Sequence, residues 1–176
     1  QAMIDSVIIE PIGRNDAAGF FQLIQAERAR LATYFPQTTG RCTDARSTRR
    51  YIKEMIDHAA ARELYCFVMR DYEDGPPIGV VFLKQFDWSV PKCETAYFIS
   101  SVYEGHGITT LGLIWATDYA FSKLGVSKIF ARVDLENIAS ARVAEKCGYE
   151  REGLIRGDFR TSDGRLIDVS YYGKLR

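Results

Sequence analysis

The sequence predicts an α+β domain: a mixed, mostly antiparallel sheet of about seven strands flanked by about four helices. Three observations predict it. Two segments of helical periodicity precede the first clear hairpin. Three strand-like runs then follow one another through short turns, which favours antiparallel pairing. One strand–helix–strand unit, residues 92–134, supplies a single parallel crossover.

Taken in order, "SVIIEPIG" (6–13) alternates weakly and stops at Pro11-Ile12-Gly13, a first strand. Asn15 or Asp16 is placed to cap a helix running to about Leu31, with Phe20, Leu23, Ile24 and Leu31 at helical spacing. Pro36 and Gly40 break the pattern, so residues 33–42 read as a loop. Its Tyr34 and Phe35 fit either a substrate-cleft wall or a plug in the core beneath the loop. Thr43 and Asp44 open a second helix to about Arg62, with Tyr51, Met55, Ile56 and Ala59 on one face. "LYCFVMRD" and "PIGVVFLKQF" form a hairpin around "YEDGPP", and "KCETAYFIS" (92–100) is a third strand. A helix over about 108–124 should turn Leu111, Trp115, Tyr119 and Leu124 inward and end at Gly125. "SKIFARVD" (127–134) is a strand, residues 137–148 a short helix closed by Gly148, and two last strands flank "TSDGR".

The 176 residues suit one domain, residues 3–176, with Gln1-Ala2 before Met3 set aside as an extension. Hydrophobic residues at 47% and charged ones at 26% are ordinary for a soluble globular protein. With 23 basic and 23 acidic residues, no net field favours nucleic acid or a membrane surface. Cys42, Cys66, Cys93 and Cys147 lie far apart and only His58 and His106 accompany them, so no metal site is expected. Dispersed thiols without a leader segment or a run of about 18 apolar residues suggest a reduced, cytoplasmic setting.

The segment "VYEGHGITTLGL" raises the question of function. A glycine-rich turn entering a helix offers unpaired amides and a favourable dipole to a phosphate. Gly105, His106, Gly107, Ile108, Thr109 and Thr110 are placed to supply them. The same turn also serves as a plain strand–helix connection. A Walker loop is excluded because no Gly-Lys-Ser/Thr follows. A dinucleotide fold fits poorly: Thr110 stands at the third glycine position, and the preceding strand carries Glu94 and aromatics.

Downstream, "ARVDLENIASARVAEKCGYEREG" resembles the C-terminal signature of the GCN5-related N-acetyltransferases (GNAT), especially the RimJ/RimL-type branch. The matching residues are Asn137, Ser140, Lys146, Gly148, Tyr149, Glu152 and Gly153. Glu104-Gly105-His106-Gly107-Ile108-Thr109 resembles that family's pyrophosphate loop, and "CETAYFIS" the strand before it. Glu104 replaces the usual Gln or Arg and is expected to face away from the diphosphate.

The resemblance implies acetyl-CoA as donor and an amine as acceptor, transferred by direct attack of the neutral amine. Tyr97, Phe98 and Ile99 would pair with the pantetheine arm as an added strand. The 105–110 turn would hold the diphosphate. Arg142 and Lys146, one turn apart, would add cations unless they are simply a solvated face. Glu94 and Asp158 are rival proton acceptors. Ser140 would donate to the leaving thiolate, since the position seven after Asn137 is Ala144 and not the tyrosine of many relatives. Asn137 would hold the cofactor's amide chain, cap the helix, or both. Tyr34 and Phe35 would touch the acceptor. The expected acceptor is the N-terminal α-amine of a protein such as a ribosomal one; a polyamine or aminoglycoside, or a non-catalytic acyl-CoA-binding module, are the alternatives. A homodimer is an open expectation by the same resemblance.

Overall fold

The computed structural model describes residues 7–176. The reading of residues 1–2 as an extension, and Ser6 of the first strand, lie outside the described residues. In chain order the elements are β1 (Ile8–Pro11), α1 (Ala17–Leu31), α2 (Pro36–Arg41), α3 (Ala45–Ala60), β2 (Tyr65–Arg70), β3 (Pro77–Asp87), β4 (Lys92–Ile99), α4 (Ile108–Ser122), β5 (Lys128–Asp134), α5 (Ile138–Lys146), β6 (Glu150–Arg160) and β7 (Leu166–Leu175). The sheet runs β1-β2-β3-β4-β5-β7-β6. Among the described residues only β4 and β5 pair in parallel, and the other pairings are antiparallel.

Strand alternation sorts the core into two layers. Val68, Val80, Phe82 and Phe98 meet Phe20, Ile24, Tyr51 and Ile52 of α1 and α3. Phe67, Met69, Val81 and Leu83 meet Leu113, Ala116 and Ala120 of α4 on the other side. Covered on both faces, β2 is buried along its whole length. At the far edge, β6 is mostly exposed.

Four local expectations need correction. Residues 36–41, expected within a loop, form α2: Pro36 occupies a first-turn position, where its missing N–H costs no helical bond. That makes five α-helices among the described residues, against about four expected. Asp16 does not cap α1 by a side-chain bond. Its carboxylate accepts from Gly13 N at 2.8 Å and binds Arg70 at 2.6 Å, tying the chain before α1 to β2. The most buried face of α4, formed by Ile108, Gly112, Leu113, Ala116, Thr117 and Ala120, is not among the expected inward residues. Trp115 and Tyr119 do pack on Phe67, with ring centroids at 4.9 and 5.1 Å, and Leu124 is buried, while Leu111 is half-buried. Small residues bring this helix close to the sheet: a Cβ on Gly112 would lie 2.5 Å from Met69 Sδ. The α3 face includes Ile52, whereas Ile56 and Ala59 are half-buried at its border.

Candidate active site

The site begins where the one parallel pairing ends. β4 and β5 are in register only from Lys92↔Lys128 to Glu94↔Phe130 and then separate. Residues 95–99 stay paired with β3, so their opposite edge has no strand partner. β5 meanwhile continues along β7 to Asp134. The divergence opens a cleft of about 630 Å³ whose walls include Tyr97, Phe98 and Ile99 of β4, the turn before α4, and Asn137, Ser140, Arg142 and Lys146 of α5.

At the cleft's outer end the backbone does the work. Gly105 and Gly107 take φ of +79° and +75°, a conformation that favours glycine, and Gly107 sits at the start of α4. The first helical bond joins Leu111 N–H to the Gly107 carbonyl. The amides of Ile108, Thr109 and Thr110 therefore precede the helical ladder, at the positive end of a 15-residue helix. Gly105, Gly107, Ile108, Thr109 and Thr110 line the cleft; exposed His106 does not. Glu104 is exposed and is itself among the lining residues. Behind the turn, Glu27 accepts from Ser101 N at 3.0 Å, and Arg30 donates to the Ile99 carbonyl at 2.6 Å. Cys147 Sγ contacts the Thr110 carbonyl at 3.5 Å, joining the end of α5 to the start of α4.

Near the middle, α5 and β4 meet through two hydroxyls. Ser140 Oγ donates to Tyr97 Oη at 3.2 Å, and Tyr97 donates to the Ser140 carbonyl at 3.0 Å. Asn137 caps α5, its Oδ1 accepting from Ser140 N at 3.1 Å. Burial raises the Tyr97 phenol to about 12, although its bond to Ser140 pulls the other way. It is thus a donor at neutral pH.

Beyond these hydroxyls a small cavity of about 90 Å³ continues, sharing Tyr34, Phe35, Tyr97, Asn137 and Ser140 with the cleft. Its polar side carries Glu94, one of the two carboxylates expected as proton acceptors, and Arg132 joins it to the other, Asp158. Arg132 Nε binds Glu94 at 2.8 Å, and Arg132 Nη1 binds Asp158 at 3.2 Å. Burial works against the Arg132 charge, but hydrogen bonds and attraction from Glu94 and then Asp158 outweigh it, so its pKa rises. The two acids differ in access: the Glu94 side chain is 5% exposed and that of Asp158 33%. Lys84 faces Glu94 across the β3–β4 pair. Burial lowers its pKa, with Glu94 opposing that shift.

Tyr34 and Phe35 line the cavity and are also fixed within the fold. Phe35 packs edge-on against Phe98 with centroids 4.9 Å apart, while lining the cavity. Tyr34 donates to Asp134 Oδ2 at 2.6 Å, spanning from the turn after α1 to the end of β5. Burial and this bond raise its pKa to about 12.

Of the expected site residues, all but His106 and Asp158 line the cleft or the cavity, and Asp158 is tied to the cavity wall through Arg132. Sequence reasoning missed Arg132, Lys84, Asp134 and the Tyr97 side chain. Arg132 had a signal: it is the one cation inside the otherwise apolar stretch "IFARV" of β5. The four cysteines are free and buried, and no group of potential metal ligands exists among the described residues. No described helix is long and apolar enough to cross a membrane.

The chain matches the acetyltransferase (GNAT) domain over residues 6–150. An uncharacterized N-acetyltransferase, p20 of Bacillus licheniformis, is 27% identical over 76% of this chain and 75% of its own length. The spermidine N(1)-acetyltransferase of Vibrio cholerae is 30% identical over 68% of this chain and 65% of that protein. Among solved structures, the ribosomal-protein-S5-alanine acetyltransferase of Vibrio fischeri superposes with a TM-score of 0.88 at 19% identity, covering 96% of this chain and 92% of that one. The ribosomal L7/L12 α-N-protein acetyltransferase RimL, solved with coenzyme A, gives 0.86 at 16% identity, covering 97% and 94%. At such identities the two structures speak for the fold; the domain match carries the family. This chain belongs to the GCN5-related acetyltransferase (GNAT) family.

Proposed function

We propose that the protein is an acetyl-CoA-dependent N-acetyltransferase whose acceptor is the N-terminal α-amine of a protein, acting in a reduced, cytoplasmic compartment. The observation that carries this reading is the junction at Tyr97 and Ser140, where a long backbone-lined cleft meets a small acid-bearing cavity. The residues present fit the cofactor. The free edge of residues 95–99 suits an extended amide chain. The amides at the start of α4, with Arg142 and Lys146 on the facing helix, suit a diphosphate. Bound there, acetyl-CoA supplies an activated acyl thioester.

The chain's own groups then divide the remaining tasks. Asp158, more exposed than Glu94, receives the acceptor ammonium and takes its proton directly or through water. Glu94 holds Arg132, and Arg132 orients Asp158. A protein α-amine has a pKa near ~8, against ~10.4 for lysine, so a carboxylate suffices to deprotonate it. Ser140 donates to the departing thiolate, with Tyr97 holding the serine oxygen in place. Tyr34 and Phe35 form the apolar wall beside the acceptor.

A small polyamine acceptor is the second reading, favoured by the spermidine-acetylating relative and by Glu94 and Asp134 lining the cavity. Thiol release from acetyl-CoA with a panel of acceptors separates the two. Peptides with free N-termini should be turned over, N-terminally blocked lysine peptides should not, and spermidine should be at least tenfold poorer. Faster turnover of spermidine than of every peptide would replace the first reading by the second. Cofactor binding without thiol release for any amine would leave a non-catalytic module.

A further inference from the structure

Lys84 has no task in the mechanism above. It lies on β3 directly across from Glu94 and lines the same small cavity as Tyr97, Asn137 and Ser140. The Glu94 carboxylate beside it is already engaged by Arg132 at 2.8 Å, and Lys84 forms no ion pair or side-chain hydrogen bond among the described residues. Glu94 and Arg132 are the charged groups that act on it. A lysine on a flexible four-carbon stem, half-buried and unpartnered, thus borders the cavity that an acceptor amine must enter.

We propose that Lys84 is an internal acetyl acceptor: when no external amine fills the cavity, the chain acetylates its own Lys84 Nζ. This rests on the acetyl-CoA reading above and adds a modification site to it. Burial favours the neutral amine, the form that attacks, and the Arg132 charge acts in the same direction, while Glu94 opposes it. In the step, the Nζ lone pair forms the N–C bond and the thioester C–S bond breaks. One Nζ proton passes to the Glu94 carboxylate and on to water. The departing sulfur gains a proton by way of Ser140, so the products are acetyl-lysine and the free thiol of CoA. Acetylation removes a cation beside Glu94 and fills the cavity, which closes it to further acceptors.

The test uses the full chain incubated with acetyl-CoA and no acceptor, followed by digestion and mass spectrometry. The expected result is about one acetyl group per chain, located on Lys84, at a rate reduced at least tenfold by Ser140→Ala. Lys84→Arg should abolish the label at that position while retaining an acetyl-CoA-induced rise in Tm. Adding a good acceptor peptide should slow the labelling. A chain that binds acetyl-CoA and turns over an external amine, yet leaves Lys84 unmodified, overturns the inference alone. So does labelling of Lys84 no faster than that of exposed Lys53, 61% accessible, since that is background chemistry. Absence of any acetyl-CoA-induced change in Tm overturns the inference together with the reading on which it stands.

Discussion

The two ends of the cleft are built by different means. The outer end uses contiguous backbone: β4 from Tyr97, the glycine turn and the first turn of α4, faced by α5. The inner end uses side chains scattered across the fold, with Tyr34 from the turn after α1, Glu94 from β4, Arg132 and Asp134 from β5, and Asp158 from β6. Backbone amides at a helix start present much the same chemistry whatever side chains surround them. A carboxylate pair bridged by one guanidinium works only if three strands hold their register. The outer end should therefore be more sensitive to a change of backbone conformation than to loss of any one side chain, and the inner end should behave in the opposite way.

The largest effect is expected at Arg132. Arg132→Gln leaves Glu94, 4% exposed, without its charge partner, which costs about 3–5 kcal/mol in stability. Turnover should fall on the order of a hundredfold as Asp158 loses its orientation. Adding Glu94→Gln removes the stranded charge, so the double variant should be more stable than Arg132→Gln alone by urea denaturation. A double variant that is less stable would deny that the two act as a pair.

Next come the hydroxyls at the junction. Ser140→Ala should lower kcat by roughly ten- to a hundredfold, leaving the KM for acetyl-CoA within a few-fold. Tyr97→Phe should cost less, and the double variant little more than Ser140→Ala alone, since both act through one bond. Additive losses in steady-state kinetics would make them independent donors.

At the outer end, Gly107→Ala meets no atom within 4 Å but must hold φ at +75°. Strain of about 1–2 kcal/mol should appear as a roughly tenfold higher KM for acetyl-CoA with kcat nearly kept. An equal fall in kcat would place this turn in the chemistry and not in binding alone.

The smallest effect concerns the support behind the turn. Burial acts to raise the Glu27 pKa, but bonds from Ser101 and Arg30 prevail and hold it below the usual carboxylate value. With its folded pKa depressed, Glu27 contributes stability above its unfolded pKa and loses it as pH falls through the folded value. The Tm gap between wild type and Glu27→Gln should thus be present at pH 7 and vanish once the pH falls below the depressed folded pKa. A gap that persists there would mean that Glu27 acts through packing alone.

The same contrast explains what the sequence disclosed. The glycine turn, Asn137 as a cap and Ser140 three residues on are local features, and each is legible in a short stretch. So were the strands of the sheet, whose turns are marked by Gly and Pro. The Glu94–Arg132–Asp158 link was not, because it depends on β5 lying beside β4 and on β6 joining through β7. Glu94 and Asp158 could be named one by one as rivals, but nothing in the chain order shows one guanidinium holding both. Helix α2 was hidden for a different reason: Pro36 and Gly40 are loop signals unless proline falls in the first turn of a helix. The inward face of α4 was legible in part: Trp115 and Tyr119 pack on Phe67 and Leu124 is buried as expected. Gly112, Ala116 and Ala120, however, carry no large apolar signal and are set by close packing on the sheet.

The central claim is that two separately built ends meet at Tyr97 and Ser140, one holding the donor and the other the acceptor. Two-substrate kinetics, with acetyl-CoA and an N-terminal peptide varied together, tests it most directly in wild type, Arg142→Ala/Lys146→Ala and Asp158→Asn. The account predicts that the α5 double variant raises the KM for acetyl-CoA roughly tenfold and leaves the peptide KM unchanged. It predicts that Asp158→Asn lowers kcat or raises the peptide KM while the KM for acetyl-CoA stays within a few-fold. Parallel shifts in both KM values for both variants would contradict it.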